Sequence, residues 1–85
     1  MFVISEAIVN SGEEYNTLIS NVLYVTYDLK EAKRLYKDYV NGYLDKGFNL
    51  VRENLPTLRK ISCTIQSIQY PEHFRQIAIT SISKY

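Results

Sequence analysis

The chain has 85 residues, of which 46% are hydrophobic and 22% charged, and its formal net charge is +1. This length predicts one domain, residues 1–85. The single cysteine, Cys63, excludes a disulfide within one chain, and its spacing of ten residues from His73 matches no metal-ligand pattern. We therefore expect neither a metal nor a cofactor.

Three features of the sequence predict the cellular compartment of the protein. The opening stretch MFVISEAIVN lacks the basic region of a signal peptide, and Glu6 interrupts its apolar residues. No apolar run approaches the ~20 residues that a helix needs to cross a bilayer. Cys63 lies in an apolar run, which favours a buried, reduced thiol. These features predict a cytoplasmic protein without a membrane partner.

Two strands are predicted at the N terminus. Residues 2–9, FVISEAIV, are apolar on both faces, as in a strand that is covered on both sides. Residues 17–27, TLISNVLYVTY, alternate between apolar and polar positions. Asn10, Ser11 and Gly12 supply turn residues between them, so we expect a hairpin.

An amphipathic helix is predicted next. Asp28 is a favoured N-cap residue, and Glu31 stands three residues later, as in a capping box. Apolar residues then recur at helical spacing, and we expect the helix to end near Lys46 with Gly47 as its C′ glycine. The predicted buried stripe contains three tyrosines, Tyr36, Tyr39 and Tyr43.

The remaining chain predicts two more strands. Residues 48–56, FNLVRENLP, suit either another helical turn or an extended segment. Strands are expected within residues 58–70 and 74–85, joined by a turn that contains Pro71. The sum is an α+β fold, ββαββ, in which a four-stranded, mostly antiparallel sheet carries one main helix on one face.

The predicted sheet has apolar residues on both faces of its first, third and fourth strands. One helix covers one face, so another surface has to cover the second face or an edge. The simplest candidate is a second copy of this chain, and we therefore expect a homodimer.

Catalysis has no recognisable signature in this chain. His73 lies in a predicted turn, and the three glycines are isolated, so no loop could cradle a phosphate. Glu13 and Glu14 adjoin each other in another turn, where a solvated pair is expected. We expect a protein that is not an enzyme. A small nuclease is a third hypothesis, for which the chain shows no acid–base pair.

Positive charge is concentrated in the middle of the chain, since residues 1–27 carry −3 and residues 28–60 carry +3. A row of Lys and Arg suits a nucleic-acid backbone, and the absence of a consensus aromatic platform favours backbone contacts. The alternative is an ordinary solvated helix face, because Glu31 and Asp38 reduce the net positive charge of the row. The candidate nucleic-acid-binding residues are Lys30, Lys33, Arg34, Lys37, Arg52, Arg59 and Lys60.

The stretches SNVLYVTYDLKEAKRLYKDYV and ISCTIQSIQY resemble the short accessory proteins of T-even-like lytic phages. Such proteins act in host takeover or counter-defence by inhibiting host factors, and one toxin-antagonist type acts together with RNA. The resemblance implies a binding protein that inhibits or sequesters a host protein, with RNA as a further partner. It transfers no site residue, because no motif is shared. The alternative is a purely protein-binding module or homo-oligomeric assembly component without a nucleic-acid role.

Overall fold

The structure is a computed structural model that describes residues 1–11, 15–57 and 59–82, with side chains described outside residues 9–19. It confirms the α+β class. The predicted number of strands is wrong, because residues 48–53 take the extended alternative and form a fifth strand. The elements are β1 (Phe2–Ser11), β2 (Tyr15–Thr26), α1 (Leu29–Leu44), β3 (Phe48–Glu53), β4 (Lys60–Ser67) and β5 (His73–Ser81).

All strand pairs are antiparallel, and the sheet order is β2-β1-β5-β4-β3. The predicted hairpin of the first two strands is confirmed, and the last two strands also pair with each other. The first and last strands also pair at the centre of the sheet, where Ile4 lies opposite Ile79. The edges are therefore β2 and β3, and α1 connects one edge to the other across a single face.

The start of α1 confirms the predicted N-cap, because the Asp28 carboxylate accepts a hydrogen bond from the Lys30 amide at 2.9 Å. The predicted capping box is wrong. The Asp28 amide donates to the Thr26 hydroxyl at 3.1 Å, while the Glu31 carboxylate accepts from the Tyr24 hydroxyl at 2.7 Å. A neighbouring strand thus binds the acidic side chain that local sequence had assigned to the helix end.

The other end of α1 lies two residues before the predicted one. Leu44 is the last helical residue, and Asp45 is the C-cap. Gly47 follows two positions later with φ of 90°, a left-handed conformation that glycine adopts without a steric penalty. The helix has 16 residues, and no helix in the described ranges is long and apolar enough to cross a membrane.

The core lies between α1 and the sheet. It has two clusters of buried side chains, and Tyr36 packs against both. Cys63 is 1% exposed, which confirms the predicted buried thiol. Each fully buried isoleucine contributes about 1.5–3 kcal/mol through the removal of apolar surface from water. The buried members are Ile4, Ala32 and Ile79 in the first cluster and Cys63, Ile65 and Ile77 in the second.

The opposite face of the sheet differs from the predicted second apolar surface. Directly paired residues point to the same face, and the two central rows on this side carry small or polar side chains. These rows are Ser5, Ala78 and Ser62, and then Ala7, Gln76 and Thr64. Ser62, Thr64 and Ala78 are buried by their neighbours alone. The homodimer stays a prediction, and the exposed apolar side chains on this face lie toward the β2 edge, where Val22 pairs with Ser5 and Val25 with Val3.

Candidate functional site

The outer side of α1 presents the four predicted helical cations to solvent. Lys30, Lys33, Arg34 and Lys37 are exposed, whereas the tyrosine stripe on the opposite side is half-buried against the sheet. Arg34 forms an ion pair with Asp38 at 3.7 Å, and both side chains are about two-thirds exposed. Such a surface pair contributes about 0–1 kcal/mol, so Arg34 can exchange Asp38 for a phosphate at little cost.

A turn after β3 brings further positive charge to the start of α1. The Thr57 hydroxyl accepts from the Arg59 and Lys60 amides at 3.3 and 3.0 Å, and the Thr57 amide donates to the Lys60 carbonyl. The Arg59 carbonyl accepts from the Ser81 amide at 2.7 Å, which ties the turn to the sheet. Backbone hydrogen bonds therefore fix where both cations leave the chain.

Lys33, Arg59 and Lys60 line one cavity of about 280 Å³. Lys33 comes from the helix and Arg59 from the turn, so the fold places cations of two separate elements around the same space. The floor of this cavity is apolar, with Phe2 and Ile79 among its residues. We call the combined set the basic surface; its members are Lys30, Lys33, Arg34, Lys37, Arg59 and Lys60.

Arg52 lies apart from the basic surface. It is exposed on the edge strand β3, where it pairs with Thr64, and Thr64 pairs with Gln76. This row belongs to the sheet face opposite α1. The pairing of Lys60 with Thr80 places Lys60 on that face as well, four residues along β4 from the partner of Arg52, although Lys60 also lines the cavity at the start of α1. The chain therefore does not bring Arg52 beside the helical cations, and the residue offers a matched control for them.

A buried ion pair under the end of α1 was not predicted from the sequence. The Glu6 side chain on β1 is 7% exposed and binds the Arg75 guanidinium on β5. The same Arg75 nitrogen lies 3.3 Å from the Tyr43 hydroxyl, and its guanidinium carbon stands 5.0 Å above the Tyr43 ring and 5.7 Å from the Phe48 ring. Burial, and then the Glu6 carboxylate, raise the pKa of Tyr43, whereas Arg75 opposes the rise.

One sequence signal for this pair existed. Glu6 interrupts an apolar strand, and a carboxylate at such a position is rarely buried unless it is paired. The position of its partner depends on the pairing of β1 with β5, for which no short-range pattern exists.

Neither a group of metal ligands among the described residues nor a similar protein indicates a function for this chain. No group of three His, Cys, Asp or Glu side chains that could hold a metal occurs in the part of the chain that the structure describes. No family model, no curated protein and no solved structure matches this chain.

Proposed function

We propose that this protein is a non-enzymatic binding protein that inhibits or sequesters a partner and contacts RNA, or a similar polyanion, through the basic surface. The observation that carries the proposal is the convergence of Lys33 with Arg59 and Lys60 around one cavity, beside three more exposed cations on α1. Positive side chains that follow one another along a surface suit the regularly spaced phosphates of a nucleic-acid strand.

The local geometry supports access for a polyanion. Glu31 is engaged by Tyr24, and Asp38 is held in a weak, exposed pair with Arg34. A phosphate can therefore displace Asp38 from Arg34, whereas Glu31 keeps its negative charge because a hydroxyl donor does not neutralise a carboxylate. The resemblance to phage accessory proteins favours an inhibitory role, with a host protein or a host protein–RNA complex as the partner.

Salt dependence tests the RNA contact. Each phosphate that is neutralised on a single strand contributes about −0.7 to the slope of log K against log salt, so six contacts predict a slope of about −4. Fluorescence anisotropy with a labelled single-stranded RNA, between about 50 and 200 mM salt, measures this slope. Binding should be similar for unrelated sequences, because phosphate contacts carry little base information.

A matched pair of variants locates the contact. Arg34→Gln should make the slope shallower by about 0.7, and Arg59→Gln should do the same. Arg52→Gln removes an identical charge from the other face and should leave the slope unchanged. Absence of RNA binding at about 50 mM salt, or equal effects of all three variants, would overturn the proposed interface.

A second candidate function, protein binding without nucleic acid, is favoured by apolar side chains near the edges of the sheet. Val22 on β2 is 65% exposed, and Leu55 beyond β3 is 90% exposed. Edge strands with exposed apolar side chains can pair with another chain, including a second copy of this one. Sedimentation velocity up to about 100 μM tests self-association, and Val22→Lys should abolish a dimer that forms through β2. Affinity purification from the native host, with and without ribonuclease, separates RNA-dependent from direct protein partners.

A further inference from the structure

A larger cavity lies at the opposite end of α1 from Lys33 and Arg59. Its volume is about 570 Å³, within the range of sites that hold small molecules. Its walls come from the segment that follows α1, from the start of β3 and from the turn between β4 and β5. No residue of the basic surface lines it, so it is a separate feature of the fold.

The lining is cationic. Lys46 and Arg75 carry positive charge, and the described lining contains no Asp or Glu, although the buried Glu6 carboxylate behind the lining compensates the charge of Arg75. Glu6 and the Tyr43 hydroxyl engage one nitrogen of Arg75, while its side chain remains 29% exposed. A guanidinium has five N–H donors in a fixed plane. Arg75 is therefore held rigidly from behind and can present further donors to an anion in the cavity.

The same cavity has an exposed aromatic side chain at its rim. Tyr70 is 51% exposed, and its ring centroid lies 5.5 Å from that of His73 with the planes inclined by 32°. The turn that carries it is fixed, since the Tyr70 amide donates to the Ser67 hydroxyl at 3.0 Å and the Gln66 amide group donates to the Pro71 carbonyl at 2.7 Å. The turn is thus ordered without a ligand, and the Tyr70 ring lies beside that of His73, which reduces the ordering that stacking would require.

We propose that this cavity binds a nucleotide, with the base stacked on Tyr70 and the phosphate held by Arg75 and Lys46. An aromatic ring and guanidinium donors are the groups that proteins use to hold unpaired nucleotides. Gln69, which also lines the cavity, offers an amide donor and acceptor to the edge of a base. The nucleotide is either free or one unit of a single strand, and the free case does not depend on the basic surface.

Nuclear magnetic resonance titration tests the site directly. Addition of the four ribonucleoside monophosphates should shift the amide signals of Gly47, Ile68 and His73, all of which line the cavity. Tyr70→Ala should weaken binding about ten-fold or more, because base stacking on an aromatic ring is lost. The ring is half-exposed, so the variant should stay folded. Lys46→Gln should weaken binding several-fold, and Arg52→Gln, on the far face, should have no effect.

Further titrations distinguish a free nucleotide from a nucleotide that is part of a single strand. Shifts at the cavity with a short single-stranded RNA, but not with monophosphates, assign the nucleotide to a strand. No shift at the cavity with either ligand at millimolar concentration overturns the proposal, as does binding that Tyr70→Ala leaves intact. Phenyl phosphate that binds as tightly as the nucleotides would show that the base edge is not recognised and would overturn the nucleotide assignment. RNA binding that responds to Arg34→Gln but not to Tyr70→Ala would retain the basic surface and refute this cavity as a site.

Discussion

Replacing Arg75 should destabilise the fold far more than replacing Glu6, although the two residues share one ion pair. Arg75→Met keeps the apolar stem but leaves the Glu6 carboxylate, 7% exposed, without a cation. Removing one partner of a buried pair in this way costs about 3–5 kcal/mol. Glu6→Gln leaves an arginine that is 29% exposed and still stacked on Tyr43. This variant should therefore lower the free energy of unfolding by only about 1.5–3 kcal/mol, the value of a hydrogen bond to a charged group.

Urea unfolding, monitored by circular dichroism, measures the loss in free energy of unfolding for both variants. For a domain of this size the free energy of unfolding falls by about 1 kcal/mol per molar urea, so Arg75→Met should lower the midpoint by about 3 M or unfold the protein outright. Glu6→Met combined with Arg75→Met removes both charges and should be more stable than Arg75→Met alone, because apolar pairs often replace buried ion pairs without loss. Equal losses for the two single variants, or a Glu6→Met and Arg75→Met double variant that is no more stable than Arg75→Met alone, would refute this account of the pair.

Three further predictions concern the core and the helix. Cys63 should react with a thiol reagent far more slowly in the native state than in urea, because it is 1% exposed; rapid native labelling would contradict its place in β4. Burial, and then a hydrogen bond with the Cys63 thiol, raise the pKa of Tyr36 above its ordinary 10.0. The unfolded tyrosine therefore ionises first, stability should fall as the pH rises above about 10, and Tyr36→Phe should flatten that fall in urea titrations from about pH 8 to 11. Gly42→Ala should raise the free energy of unfolding by about 1 kcal/mol, since a Cβ there meets no atom within 4 Å, whereas Gly47→Ala should lower it because φ is 90°; thermal melts that show the same sign for both would contradict this contrast.

Elements with a local signal could be predicted from the sequence. Asp28 and the spacing of the helical tyrosines predict α1, alternation and turn residues predict the hairpin of β1 and β2, and the turn at Pro71 separates the last two strands. Strand β3 could not be recognised, because it lies on an edge with five of its six residues exposed, and a register shift follows Leu50. These features remove the regular alternation that identifies a strand in a sequence.

The residues of the candidate sites also differ in whether a local sequence pattern predicts them. The cations of α1 follow from helical spacing, which separates them from the buried stripe. The cluster of Glu6, Arg75 and Phe48 joins three strands that are far apart in the chain, and it exists because the first and last strands pair at the centre of the sheet. A side chain whose neighbours are fixed by long-range pairing has no pattern in its own segment, so Arg75 could not be predicted.

The positions of the two cavities have a common physical cause. A single helix of 16 residues, about 24 Å long, lies over a sheet whose two central strands, β1 and β5, have ten and nine residues and are about 30–34 Å long. It covers the centre of one face and leaves that face open beyond each of its ends. Phe2 and Ile79 line the opening at the start of α1, and Phe48 lines the one at its end. Cations and apolar side chains line both openings, so an anionic ligand with an apolar or aromatic part can contact both kinds of surface there.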